Sequence, residues 1–151
     1  MPTFEKSEYD QRLAKTKARM EANGIEVLLA TDPANMCYLT GYDGWSFYVH
    51  QLLVIAADAD EPVWIGRGMD TGAAKVTTTL ADANILGYPD DYVQSTEKHP
   101  MDFVADLLKQ KRWDKRAIGV EMDAYYFTAA CLESLKRRFV RTSYGADIST
   151  I

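Results

Sequence analysis

Few residues of the chain are of the types that usually carry chemistry: two histidines, His50 and His99, and two cysteines, Cys37 and Cys131. A protein metal site needs three or four ligands at useful spacing, and the sequence contains no HExxH, HxH or CxxC motif. Each cysteine stands alone in an apolar segment, which is typical of a core residue. His50 is either a hydrogen-bonded strand residue or a substrate contact, and His99 precedes a proline that should begin a helix. These residues predict no catalytic group and no metal ligand.

A glycine-rich segment, residues 66–72 (GRGMDTG), follows a predicted strand and precedes a predicted helix. Anion binding at that helix N-terminus is an alternative function, and Arg67 would add positive charge there. The segment matches neither GxGxxG nor GxxxxGK[ST], the motifs of nucleotide-binding loops. Because a turn requires glycines in any case, the segment is more simply explained as a turn.

The charge of the chain argues against a nucleic-acid partner. Its formal net charge is −5, and lysine and arginine occur only in short, scattered runs, whereas nucleic-acid binding depends on phosphate neutralisation. Three carboxylates, Asp70, Glu121 and Asp123, lie near predicted strand ends, but Glu121 and Asp123 are more simply a strand end followed by a turn. The two lone cysteines, the polar N-terminus and the short apolar runs predict a cytoplasmic protein without a membrane span.

The most unusual feature is a high density of aromatic residues. Tyr42, Trp45, Phe47 and Tyr48 lie on a glycine-flanked loop and the predicted strand start that follows it, and residues 125–127 (YYF) form a second patch. Such residues either pack at a corner of the core or form a rim that contacts a small ligand or a partner subunit, since aromatic side chains carry much of the energy of such contacts.

The elements that must position these residues alternate between helix and strand. The patterning predicts helices over 7–23, 33–40, 70–80, 101–111 and 128–139, and strands over 25–30, 46–57, 63–66, 84–88 and 116–120. With 47% hydrophobic and 26% charged residues, this order predicts one α/β domain: a mixed, largely parallel sheet flanked by helices in three layers. An antiparallel hairpin is expected between the second and third strands.

Three segments of the chain resemble the N-terminal domain of creatinase, prolidase and aminopeptidase P, the pita-bread hydrolases. They are Glu8-Tyr9 with Arg12-Leu13 in the first helix, residues 31–41 (TDPANMCYLTG), and residues 119–123 (GVEMD). Their order and spacing make the resemblance specific. Within the family, residues 41–48, 87–96 and 99–102 are most similar to ectoine hydrolase.

The resemblance implies a fold with a ribonuclease H-like motif and a domain over residues 1–145, with residues 146–151 beginning a linker to a C-terminal catalytic domain. The catalytic groups would lie in that second domain, as would the two divalent metal ions of the peptidase members, whereas creatinase works without metal. The parent protein would be a cytoplasmic homodimer that hydrolyses C–N bonds in small nitrogenous compounds or dipeptides. Its N-terminal domain, itself without a catalytic group or cofactor, would cover the partner's active site.

The resemblance also indicates which residues contact substrate. Phe47 matches a phenylalanine that creatinase supplies to its substrate, but the arginine that follows it two residues later in creatinase is Val49 here, so a carboxylate cannot be bound in the same way. Trp45 is the nearest counterpart of a tryptophan at the subunit junction of aminopeptidase P. The candidate substrate contacts are Trp45, Phe47, Tyr48, His50 and Arg67. The alternative from another class is a standalone α/β module that binds a small ligand or a protein through the same aromatic residues.

Overall fold

Helices and strands alternate along residues 2–139, the part of the chain that the computed structural model describes. The helices are α1 (Lys6–Ala22), α2 (Pro33–Thr40), α3 (Thr71–Thr77), α4 (Pro100–Gln110) and α5 (Ala129–Arg138). The strands are β1 (Val27–Ala30), β2 (Leu52–Ala56), β3 (Val63–Arg67), β4 (Ile85–Tyr88) and β5 (Ile118–Val120). Every predicted element is present, and the expected domain boundary at residue 145 lies outside the described residues.

The strands form one mixed sheet in the order β4-β3-β2-β1-β5. The predicted hairpin is confirmed, because β2 and β3 pair antiparallel with Leu52 opposite Ile65. The pairs β1–β5 and β3–β4 are parallel, and β1–β2 is antiparallel. The sheet is therefore mixed as predicted, but parallel pairings make up half of it rather than most, because β2 runs against both of its neighbours.

Helices cover both faces of the sheet and produce the three layers. Alternate strand residues point to opposite faces, so Leu29, Val54 and Ile118 join a core under α4 and α5. Leu28, Leu53 and Ile55 join a second core under α1 and α2. β1 lies between β2 and β5 and is buried along its whole length, as the continuous apolar run 27–30 predicts for an interior strand.

Local signals set the ends of α2. Asp32 precedes the helix, and its carboxylate accepts hydrogen bonds from the amides of Ala34 and Asn35 at 2.8 and 3.4 Å. Pro33 occupies the first helical turn, and Gly41 ends the helix with φ +77°, a conformation that glycine adopts without strain. Ser7, the first residue of the predicted helix 7–23, is of a type that often caps helices, and a cap at this position would be predicted. That prediction is wrong, because Ser7 lies inside α1 and Glu5 precedes the helix without a side-chain cap.

The second predicted strand is shorter than expected. Residues 46–51, including His50, form a loop, and β2 begins only at Leu52. The partner strand β1 ends at Ala30, which pairs with Leu53. The residues before Leu52 therefore have no residue of β1 with which to pair. β-branched and aromatic composition alone therefore overestimated the strand.

The two cysteines differ in their exposure to solvent. The prediction of a core position is right for Cys131, which is buried, and wrong for Cys37, which is exposed. Helix α2 buries Met36, Leu39 and Thr40, and a residue at position 37 faces away from that stripe.

Among the described residues, no helix is both long and apolar enough to cross a membrane.

Candidate functional site

A cavity of about 390 Å³ lies beside the aromatic loop. Its walls come from three places. They are Thr31, Pro33 and Met36 around the start of α2, residues 46–51 before β2, and Tyr125, Tyr126 and Thr128 before α5. None of the described residues that line it is an aspartate, glutamate, lysine or arginine. The cavity therefore offers ring faces, hydroxyl groups and one imidazole to a compact ligand.

Glu121 holds one wall of this cavity in place. Its buried carboxylate follows β5 and accepts hydrogen bonds from the amides of Thr31 and Asp32, at 2.5 and 2.7 Å, and from the Asn35 side chain at 2.6 Å. A carboxylate at a helix N-terminus satisfies amides that have no partner within the helix. The connection between β5 and α2 thus positions Pro33 and Met36 at the cavity.

The aromatic loop forms an exposed rim, which we define as Trp45, Phe47 and Tyr48. These side chains are 62%, 67% and 56% exposed, respectively. The indole Nε1 of Trp45 donates a hydrogen bond to the Tyr126 hydroxyl at 2.6 Å, and the Trp45 and Phe47 rings lie 6.2 Å apart. Phe47 and Tyr48 line the cavity, whereas Trp45 is tied to its opposite wall through Tyr126.

His50 lies at the inner end of the same loop. Burial lowers its pKa, although a hydrogen bond with the backbone of Tyr126 acts in the opposite direction. Its imidazole lies 5.0 Å from that of His99, centroid to centroid, and its Nδ1 lies 3.7 Å from the Cys131 Sγ. His50 also lines a second cavity of about 120 Å³, whose wall includes His99.

The environment of these three groups favours their neutral forms. Burial, aided by the charges of His50 and Arg137, lowers the pKa of His99 to about 4, against a smaller opposing effect of Asp102. Burial raises the pKa of the Cys131 thiol, and hydrogen bonds to Thr128 act in the opposite direction. A buried thiol of this kind is a poor nucleophile, because the thiolate is the reactive form.

Arg67, the remaining candidate, lies outside the cavity lining. Its guanidinium donates two hydrogen bonds of 2.8 Å to the Asp90 carboxylate. Asp70 adds a negative charge immediately before α3, which disfavours an anion there. Gly66 and Gly87 are explained by packing, because an added Cβ would lie 2.4 Å from the Trp64 ring and 2.6 Å from the Gly68 Cα, respectively.

The structure thus brings Phe47, Tyr48 and His50 to one cavity, places Trp45 at its rim, and leaves Arg67 apart. Sequence reasoning noted residues 125–127 only as a second patch, and Tyr125 and Tyr126 prove to form the facing wall. Sequence reasoning also missed that His50, His99 and Cys131 lie close together. His99 follows His50 by 49 positions, and Cys131 follows His99 by 32 positions. No motif with such spacing is a recognised signal, so only the capping role of His99 was predictable.

Comparison with known proteins adds the following similarities. The family profile described as the Creatinase/Prolidase N-terminal domain matches residues 12–150. An ectoine hydrolase of Halomonas elongata is 44% identical over 149 residues, which cover 98% of this chain and 37% of that protein. An uncharacterized hydrolase/peptidase of Sinorhizobium fredii is 49% identical over 126 residues, 83% of this chain and 32% of that protein. The chain therefore spans about a third of the length of these curated relatives.

Solved structures share the fold. The N-terminal domain of an Xaa-Pro dipeptidase from Lactobacillus brevis superposes with a TM-score of 0.74 at 20% identity, covering 91% of this chain and 95% of that one. The creatinase/prolidase N-terminal domain of an X-Pro dipeptidase from Streptococcus pyogenes gives 0.72 at 17% identity, with 93% and 95% covered. At this identity the likeness concerns the arrangement of the backbone.

Proposed function

Because this chain belongs to the creatinase/prolidase N-terminal domain family, we propose that it is the non-catalytic N-terminal domain of a hydrolase that cleaves a C–N bond in a small nitrogenous substrate. The catalytic groups, and any metal ions of the reaction, belong to a further domain of the same protein. The chain contributes to a homodimer and covers the partner's active site with the rim. The two free thiols, Cys37 and Cys131, agree with a cytoplasmic location.

The observation that carries the proposal is the rim beside an uncharged cavity. The rim consists of three large aromatic side chains on one loop, and each is more than half exposed. Together they form an apolar surface that is suited to contact with a ligand or another subunit. Since the lining residues supply hydroxyl groups and one imidazole but no carboxylate or lysine, the cavity is better suited to holding a substrate than to cleaving it.

The proposed substrate class is a compact cyclic amidine such as ectoine. The delocalised positive charge of an amidine is attracted to the face of an aromatic ring, and the rim presents such faces. Val49 is 8% exposed and lines the cavity, so this position supplies no charge for a substrate carboxylate, and the carboxylate that ectoine and creatine both carry must be bound by other groups. The identity with the Halomonas elongata enzyme over 98% of the chain supports this class over creatine.

The test is the replacement Phe47→Ala in the longer protein that contains this chain. Loss of one aromatic contact should lower kcat/KM for ectoine by about tenfold. Folding should be unaffected, because the side chain is 67% exposed. Phe4→Ala is a matched control: Phe4 is also half exposed, but it packs beside Tyr9 and Arg12 and does not line the cavity.

Equal kinetics for Phe47→Ala and the unmodified protein would contradict the covering role. Sedimentation of the longer protein as a monomer would contradict the dimer. If the 151-residue chain alone bound ectoine with quenching of Trp45 fluorescence while the longer protein failed to hydrolyse it, the standalone binding module would be the better explanation.

A further inference from the structure

Three side chains from separate parts of the fold converge behind the rim. His50 comes from the loop before β2, His99 from the start of α4, and Cys131 from the first turns of α5. One potential ligand atom of each lies within 4.8 Å of those of the other two. The group belongs to no motif in the sequence, and the proposed function does not use it as a cluster.

The distances approach those of a coordination sphere. With metal–sulfur and metal–nitrogen bonds of about 2.3 and 2.05 Å, the S···N edge of a tetrahedral zinc site is about 3.6 Å and the N···N edge about 3.4 Å. The Cys131 Sγ lies 3.7 Å from the His50 Nδ1 and 3.9 Å from its Nε2. Both distances are close to the required S···N edge, but the ring would have to turn so that one nitrogen faces the ion. The widest separation in the cluster, 4.8 Å at most, would have to close by roughly 1.4 Å or less to reach an N···N edge.

The surroundings of the cluster are those of a supported ligand set. Cys131 is fully buried, and the Thr128 hydroxyl lies 3.4 Å from its sulfur. The His50 ring is hydrogen-bonded to the backbone of Tyr126, an outer contact of the kind that orients metal-binding histidines. Both histidines are partly buried, and His50 faces the cavities on its two sides.

Coordination by His99 would replace one existing interaction. Its Nδ1 accepts a hydrogen bond from the Met101 amide at 3.1 Å, whereas a neutral ring bound to metal through Nε2 carries a proton on Nδ1. The other half of this helix cap, from the His99 amide to the Asp102 carboxylate at 2.9 Å, involves no ring atom and is kept. The exchange is therefore confined to a single hydrogen bond.

We propose that His50, His99 and Cys131 form a three-ligand site for a borderline-soft divalent cation of the zinc class, with a fourth position open to water. A thiolate with two imidazoles is a ligand set that suits zinc rather than magnesium or calcium. On binding, the metal–sulfur bond forms and the Cys131 thiol proton passes to the buffer. The ion would tie the loop 46–51 to α4 and α5, and so hold Phe47 and Tyr48 over the cavity.

The test is a cobalt titration of the chelator-treated 151-residue chain. We expect one Co²⁺ to bind per chain with release of the thiol proton, a cobalt–thiolate charge-transfer absorption band to appear, and Zn²⁺ then to displace the bound Co²⁺ without further proton release. Cys131→Ser should abolish the band and weaken Zn²⁺ binding by more than about tenfold. Cys37→Ser is the matched control, because the chain contains only these two cysteines and Cys37 lies exposed, outside the cluster.

A titration without saturable 1:1 binding would overturn the proposal, as would a charge-transfer band that survives in Cys131→Ser or disappears in Cys37→Ser. If circular dichroism shows that Cys131→Ser does not fold, His50→Gln decides instead, because His50 lies in a loop. It should weaken Zn²⁺ binding by more than about tenfold, and unchanged affinity would refute the site. This outcome is independent of hydrolysis by the longer protein.

Discussion

At the scale of single residues, His99 shows how one side chain combines local and tertiary roles. Its ring caps α4 through the Met101 amide, and the same ring lies beside His50 and near Asp102 and Arg137, with Cys131 in the cluster. Burial is the main cause of its low pKa, about 4. The folded protein therefore favours the neutral imidazole, which is also the form that can accept the hydrogen bond of the cap.

This low pKa predicts a pH-dependent stability. Between about pH 4 and 6.5 the unfolded chain binds more protons at His99 than the folded chain does, so stability decreases as the pH falls through this range. Asparagine also caps helices but does not titrate. The measurement is urea unfolding of both chains at pH 7 and pH 4 with a chelator present. We expect the free energy of unfolding to fall between these pH values by about 1 to 2 kcal/mol less in His99→Asn than in the unmodified chain, a difference that allows for the partial exposure of the ring. Parallel pH profiles would contradict this assignment, and the shift of His50 should leave a smaller slope in the variant.

At the scale of elements, the cavity depends on one connection across the sheet. β5 lies at the edge of the sheet next to β1, and Glu121, immediately after β5, accepts hydrogen bonds around the start of α2. The Asp32 cap and Pro33 specify where α2 begins, but they do not specify where the helix lies. Glu121 fixes the position of α2, because this buried residue is only 4% exposed and its hydrogen-bond partners lie around the start of that helix.

Glu121→Gln should therefore destabilise the chain by about 2 kcal/mol, because it removes a buried acceptor of charge-assisted hydrogen bonds while it keeps the side-chain shape. Asp123→Asn is the matched control two residues later. Asp123 is exposed, so its substitution should change the free energy of unfolding by less than about 0.5 kcal/mol. Equal effects of the two substitutions in urea unfolding would show that the Glu121 contacts do not stabilise the fold.

At the scale of the whole molecule, two hydrophobic cores share one sheet. Ile118 of β5 belongs to the core under α4 and α5, and Ile55 of β2 belongs to the core under α1 and α2. Both side chains are fully buried, and β1 separates their strands. Because the same backbone ladder supports both layers, we expect the layers to fold as one cooperative unit.

Ile55→Val and Ile118→Val should each lower the free energy of unfolding by about 1 kcal/mol. The double variant should lose the sum within about 0.5 kcal/mol, since the two sites have no shared partner. Thermal unfolding followed by near- and far-ultraviolet circular dichroism should give a single coincident transition for all three variants. Two separate transitions, each sensitive to only one substitution, would mean that the layers unfold independently.

The sequence by itself determined the element order, the cap and end of α2, the hairpin, the aromatic loop and the family resemblance. These features depend on signals within a few residues, such as Asp32 and Pro33 before a helix or Gly41 after it, or on segments compared one at a time. The helices α4 and α5 were predictable for the same reason, since apolar residues repeat along one face of each.

Only the tertiary structure decided where β2 begins, that Cys37 is exposed, that Arg67 pairs with Asp90, and that His50, His99 and Cys131 converge. A strand continues only as far as its neighbours can pair with it, and β1 ends opposite Leu53. Convergence of side chains separated by 32 to 81 positions depends on how helices pack on a sheet, which sequence spacing does not encode. Tertiary packing therefore determined which side chains are buried and which residues contact each other, whereas neighbouring residues in the sequence determined whether a segment is helix or strand.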